Sequence, residues 1–187
     1  MIPYTVDRRS DTGVTNVTMA IWLFLASEVM LFGSLFSAYT LLRVSATTWN
    51  AAPFSLDLTL PLLNTVVLIG ATAAMWRARA SAQTSGRWLV ISALLAVAFL
   101  GVKNLEYRTE IGSGMLPSIS TFIAMYFTLT GLHALHVAGG AIANLWAWRS
   151  ARRIDARLLE GRVRALSLYW TFVDCVWLII LALVYFA

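Results

Sequence analysis

The chain has 187 residues, 59% of them hydrophobic and 12% charged, with a mean hydropathy of +0.74 and a formal net charge of +5. A soluble domain is about 25% charged, so this chain has too little polar surface to cover a water-facing globule. Its 8 Trp, 6 Tyr and 9 Phe exclude disorder, and its single cysteine, Cys175, excludes a disulfide scaffold.

An integral membrane protein remains. The 14 basic residues lie in or beside the gaps between apolar runs. That is how membrane proteins place charge, so the positive balance does not point to nucleic acid as a partner.

A spanning helix needs about 20 mostly apolar residues. Five runs qualify. The first covers 17–42 and is interrupted only by Glu28. It is too long for a signal-peptide core, and no small-residue cleavage site follows it, so it is expected to be retained. The second, 60–76, is short and uncharged. The third, 88–107, loses its uncharged character after Val102. Lys103 and Glu106 are therefore expected near the interface, with Lys103 snorkelling. The fourth, 118–148, is long enough to tilt, and the fifth, 165–185, is interrupted only by Asp174. Strand patterns and internal repeats are absent from the sequence. The expected fold is a single all-α membrane domain of five transmembrane helices.

Five spans put the termini on opposite sides. The side with the N-terminus and the second and fourth gaps holds eleven basic residues; the other holds Arg43, Lys103 and Arg108. The positive-inside rule then predicts a cytoplasmic N-terminus and a periplasmic C-terminus in a bacterial inner membrane. The gap at 149–164 holds six arginines. It reads as a solvated loop touching anionic lipid heads, or as a short basic amphipathic segment.

Ionisable groups inside a bilayer are costly and usually face protein, pair, or carry function. At 1.5 Å per residue, Glu28 lies about 18 Å from the cytoplasmic end of its run and Asp174 about 15 Å. His136 and His133 lie about 18 and 22 Å up theirs. All four fall in one layer, which predicts a buried acid–imidazole network. His133 and His136, spaced i, i+3, share a helix face that Gly140 and Asn144 continue. Thr130, Ala134 and Ala138 are expected on the opposite side, as a small-residue ridge for helix packing.

A bis-histidine haem needs ligands on both faces of the porphyrin, and two histidines on one helix do not supply them. A metal site needs three or four convergent donors, and no Glu-x-x-His pair is present. No metal or cofactor is therefore expected in this chain. Glu28 is open to two readings, a proton-handling carboxyl or a hydrogen-bonded packing element. Asp174 reads as structural, and Cys175 as a small apolar residue. Nucleotide-binding, nucleophile-elbow and redox-cysteine motifs are absent, so no catalytic residue is expected.

Four segments carry a family resemblance. They are Ser27-Glu28 with Phe32 in the first span, Glu106-Tyr107 at the end of the third, Thr130-Gly131-Leu132-His133-Ala134-Leu135-His136-Val137 in the fourth, and Tyr169-Trp170-Thr171-Phe172-Val173-Asp174 with Val176-Trp177 in the fifth. In this order they resemble subunit III of the haem–copper oxidases. Thr171 stands where that family usually has His, and five spans stand where the longer mitochondrial form has seven. The resemblance implies a non-catalytic subunit beside oxidase subunits I and II. Haem and copper would lie in those partners, and phospholipid would be bound. It implies support of proton uptake and of subunit I in a complex that reduces oxygen and pumps protons. It also makes Glu28 the family's buried, carbodiimide-reactive carboxyl. A quinol oxidase or nitric oxide reductase partner is an alternative within the family. A small proton-coupled transporter and an assembly factor are alternatives outside it.

Overall fold

The computed structural model describes residues 5, 7–46, 49, 58–81 and 85–185, so most of the segments joining the first helix to the second and the second to the third lie outside it. The described residues form α1 (Asn16–Ser45), α2 (Thr59–Ala80), α3 (Ser85–Gly112), α4 (Thr121–Ser150) and α5 (Ala156–Tyr185), with no strand among them. All five helices are long and apolar enough to cross a membrane.

Local chemistry sets the helix ends. The Thr15 and Ser120 side chains accept from the backbone N–H of Thr18 and Ile123, each at 3.2 Å, and so cap α1 and α4. α3 stops in a Schellman turn. Met115 N–H reaches Glu110 O and Gly114 N–H reaches Ile111 O, both at 3.0 Å, while Gly114 takes a φ of +92° that favours glycine. Met115 is buried just past the turn and anchors it.

The helices run beyond the apolar spans. α2 and α3 together take in Arg77, Arg79 and Arg87, and α5 begins at Ala156 rather than 165. Only Ala151–Asp155 separates α4 from α5, so Arg157, Arg162 and Arg164 are helical. The part of this segment from Ala156 onward is helical, not loop, and Glu160 and Arg164 stand at i, i+4 on it. Arg162 bridges back, donating to Ser150 Oγ at 2.9 Å and lying 4.2 Å from the Trp146 ring centre.

α2, α3, α4 and α5 close a ring of neighbours, and α1 packs outside it against α4 and α5. α1 buries only Leu25, Phe32 and Tyr39, whereas α5 buries ten residues. The seven-residue spacing on α1 makes one narrow seam. Leu23, Met30, Leu41, Leu94, Val97, Leu135 and Ile142 face outward. In water these would form adhesive patches; in a bilayer they meet hydrocarbon. Trp22, Trp76, Trp146 and Trp148 are exposed near the arginine-rich end, as an aromatic belt requires.

Several buried polar groups are matched across helices. Trp177 Nε1 donates to Thr65 Oγ1 at 2.9 Å and Trp170 Nε1 to Asn144 Oδ1 at 3.2 Å, while Asn144 Nδ2 donates to Ser92 Oγ at 3.0 Å. On the outer face of α1, Ser27, Ser34, Ser37 and Thr40 donate to carbonyls of their own helix, which satisfies hydroxyls that have no water.

Candidate functional site

α1 and α4 bring one acid and one imidazole together. His136 Nε2 lies 2.8 Å from Glu28 Oε2, and His136 Nδ1 lies 2.8 Å from Leu132 O. The carbonyl can only accept, so Nδ1 carries a proton. Nε2 then either accepts from a protonated Glu28 or donates to its carboxylate. The two residues therefore share one proton, held between a neutral pair and an ion pair. The Tyr169 hydroxyl donates to His136 O at 2.7 Å, and Phe32 meets the imidazole edge-on at 5.0 Å. The equal depth inferred from helix rise is thus met by a direct bond between these two residues.

The four-member network does not form. His133 is fully buried, stacked on Trp177 at 5.2 Å with Phe99 edge-on at 5.6 Å, and neither ring nitrogen has a hydrogen-bond partner. Three residues along a helix amount to about 300°, an offset of about 60°. In the bundle interior that sends His133 toward α3 and α5 while His136 meets α1. Asp174 reaches neither histidine. Its Oδ1 is buried and unpartnered, and the Thr72 hydroxyl of α2 donates instead to Trp170 O at 3.3 Å. Among the described residues no three of His, Cys, Asp and Glu converge as a metal site would need.

The pair is not sealed: 13% of the Glu28 side chain and 14% of that of His136 remain exposed. A helical turn away, Ile21, Phe24, Gly139, Ala143, Leu166 and Tyr169 line an apolar groove of about 310 Å³. Gly140 closes the other side. A Cβ there would stand 2.9 Å from both Trp170 Cζ2 and Tyr169 Cε1, so only glycine lets α4 and α5 approach this closely. Thr130 belongs on the buried stripe with His133, not on an opposite ridge. Its hydroxyl donates to Tyr126 O at 2.6 Å and so accepts from Tyr107 OH at 2.7 Å.

The expectation that Lys103 snorkels is not met. Lys103 is 2% exposed and Glu106 3%, and Lys103 Nζ lies 2.8 Å from Glu106 Oε1. Lys103 does not snorkel because α4 and α5 extend alongside and wrap it in Tyr126, Tyr185 and Trp177. Neither tyrosine was identifiable from the sequence, where the sole signal was the i, i+3 Lys–Glu spacing.

Five spanning helices, an outward apolar surface and a proton-sharing pair without further convergent donors define a multi-pass membrane subunit. The chain belongs to the family described as Cytochrome c oxidase subunit III, whose family model matches residues 8–187. It is 31% identical over 188 residues to "Cytochrome bo(3) ubiquinol oxidase subunit 3" of Pseudomonas aeruginosa, covering 96% of this chain and 88% of that one. It is 33% identical over 173 residues to "Cytochrome c oxidase subunit 3" of Synechocystis sp., covering 87% and 72%. A third relative, "Heme-copper oxidase subunit I+III" of Aeropyrum pernix, is 29% identical over 91% of this chain and 22% of its own length. The chain is thus a non-catalytic oxidase subunit III, multi-pass in the inner membrane and associated with other oxidase subunits.

Proposed function

We propose that this chain seats against subunit I of an oxygen-reducing haem–copper oxidase, with haem and copper held by subunits I and II and none in this chain. The observation that carries the reading is the commitment of both imidazoles. His136 is held by Leu132 and Glu28, and His133 is walled in by aromatic rings. The joint I+III naming of the Aeropyrum relative supports the choice of subunit I as neighbour. In this reading the Glu28–His136 pair packs α1 onto α4 and holds one proton near the partner, and the adjoining apolar groove takes phospholipid acyl chains. The N-terminus faces the cytoplasm.

Deleting the chain from its native complex tests this. Subunits I and II should remain assembled with normal haem spectra, while activity decays during turnover. Loss of haem incorporation would replace the accessory reading with an assembly role. The electron donor is decided by the neighbouring subunit II. A copper-binding form makes the complex a cytochrome c oxidase, and a form without copper makes it a quinol oxidase, as in the name of the Pseudomonas relative.

A further inference from the structure

At the end of the bundle where α3 and α5 finish, a lone charge would be strongly disfavoured, yet the chain buries a complete set of partners around one ammonium. Lys103 Nζ donates to Glu106 Oε1 at 2.8 Å and to Tyr185 OH at 2.9 Å, with a longer contact to Tyr126 OH at 3.4 Å. Both hydroxyls in turn donate to Glu106 Oε1, at 2.7 Å from Tyr126 and 2.5 Å from Tyr185. Four rings surround the same nitrogen: Tyr126 at 4.9 Å, Tyr107 at 5.0 Å, and Trp177 and Tyr185 at 5.6 Å. A carboxylate, two hydroxyl acceptors and a surround of aromatic rings are what recognises a primary ammonium group.

We propose that α3, α4 and α5 build a primary-ammonium site here, that the chain fills it with its own Lys103, and that filling it straps the last turn of α5 to the other two helices. Tyr185 is the last residue of α5, and among the described residues its hydroxyl bonds only within this cluster. The same turn is held from α1, where Tyr39 OH donates to Leu183 O at 2.6 Å. Without the ammonium, Glu106 would keep two phenol donors on one oxygen, and its other oxygen is already buried without a partner. A carboxylate left so would open the cluster toward water and release Tyr185.

The test is hydrogen exchange of α5 in the intact membrane complex, read by mass spectrometry. Lys103→Ala should speed exchange in the last turn of α5 by about tenfold, while its middle turns are unchanged. n-Propylammonium replaces the atoms this substitution removes, and its neutral base crosses the apolar shell. It should restore slow exchange, whereas tetramethylammonium at equal ionic strength, which has no N–H to donate, should not. Lys103→Met should exchange fast with either salt. Parental exchange in Lys103→Ala, or equal action of the two salts, would overturn the proposal. If Lys103→Ala fails to assemble, Tyr185→Phe decides. It keeps the ion pair and removes the strap's hydroxyl, so exchange should still rise in the last turn alone. Unchanged exchange in Tyr185→Phe refutes the strap.

Discussion

Glu28 and His136 sit 108 positions apart in sequence and share a hydrogen bond of 2.8 Å, the one direct link between α1 and α4 through ionisable side chains among the described residues. Because Leu132 O holds the proton on Nδ1, the chemistry of this link is confined to Nε2 and the carboxyl. The predictions for these residues start from that confinement.

Glu28→Gln leaves an amide that can donate to Nε2, so the α1–α4 contact survives without the ionisable group. The complex should assemble and keep most of its oxygen-reduction activity in steady-state oxygen consumption. A several-fold slower turnover, or a lowered proton-pumping stoichiometry, would assign Glu28 a relay role instead. In the parent protein a hydrophobic carbodiimide should label Glu28 ahead of Asp174 and Glu106. Glu28 keeps 13% of its side chain exposed, while Glu106 is engaged by three donors inside the bundle. Peptide mapping that places the adduct on Glu106 or Asp174 would contradict this order.

The two histidines should differ in how well they tolerate loss of polarity. His133→Leu removes two buried nitrogens that have no partner and should change stability by less than about 1.5 kcal/mol. His136→Leu leaves Glu28 largely buried without its partner and should cost about 1–3 kcal/mol. Thermal melting of the purified complex separates them. Equal losses at both positions would argue that His133 has a polar role.

Gly140→Ala should destabilise the chain by about 1–3 kcal/mol, because the new methyl meets two rigid rings rather than the tip of a flexible chain. The neighbouring Gly139→Ala is the control, since its Cβ would meet only Tyr169 Oη, at 3.9 Å. Comparable melting temperatures for the two variants would show that α4 and α5 relax apart at little cost.

A reporter fused after Ala187 should be active in the periplasm, as the eleven-to-three split of basic residues requires. Cytoplasmic activity at that position would reverse the orientation of every helix.

Hydrophobic run length made five spans legible in the sequence, and the cost of burying charge singled out Glu28, the two histidines and Asp174, because both depend on composition along the chain. The sequence stops short of the helix ends. Arg157, Glu160, Arg162 and Arg164 are too polar for a spanning window, yet they continue α5, whose backbone bonds depend little on side-chain polarity. Pairing was decided only by the tertiary structure. Depth along each axis can be counted in residues, but the rotation of one helix against another depends on packing. About 60° of rotation placed His136 against Glu28 and enclosed His133 between Phe99 and Trp177. Lys103 shows the same division. Its neighbours in sequence suggested a snorkelling side chain, but it lies buried because Tyr126 and Tyr185, 23 and 82 positions away, reach across from α4 and α5 to surround it.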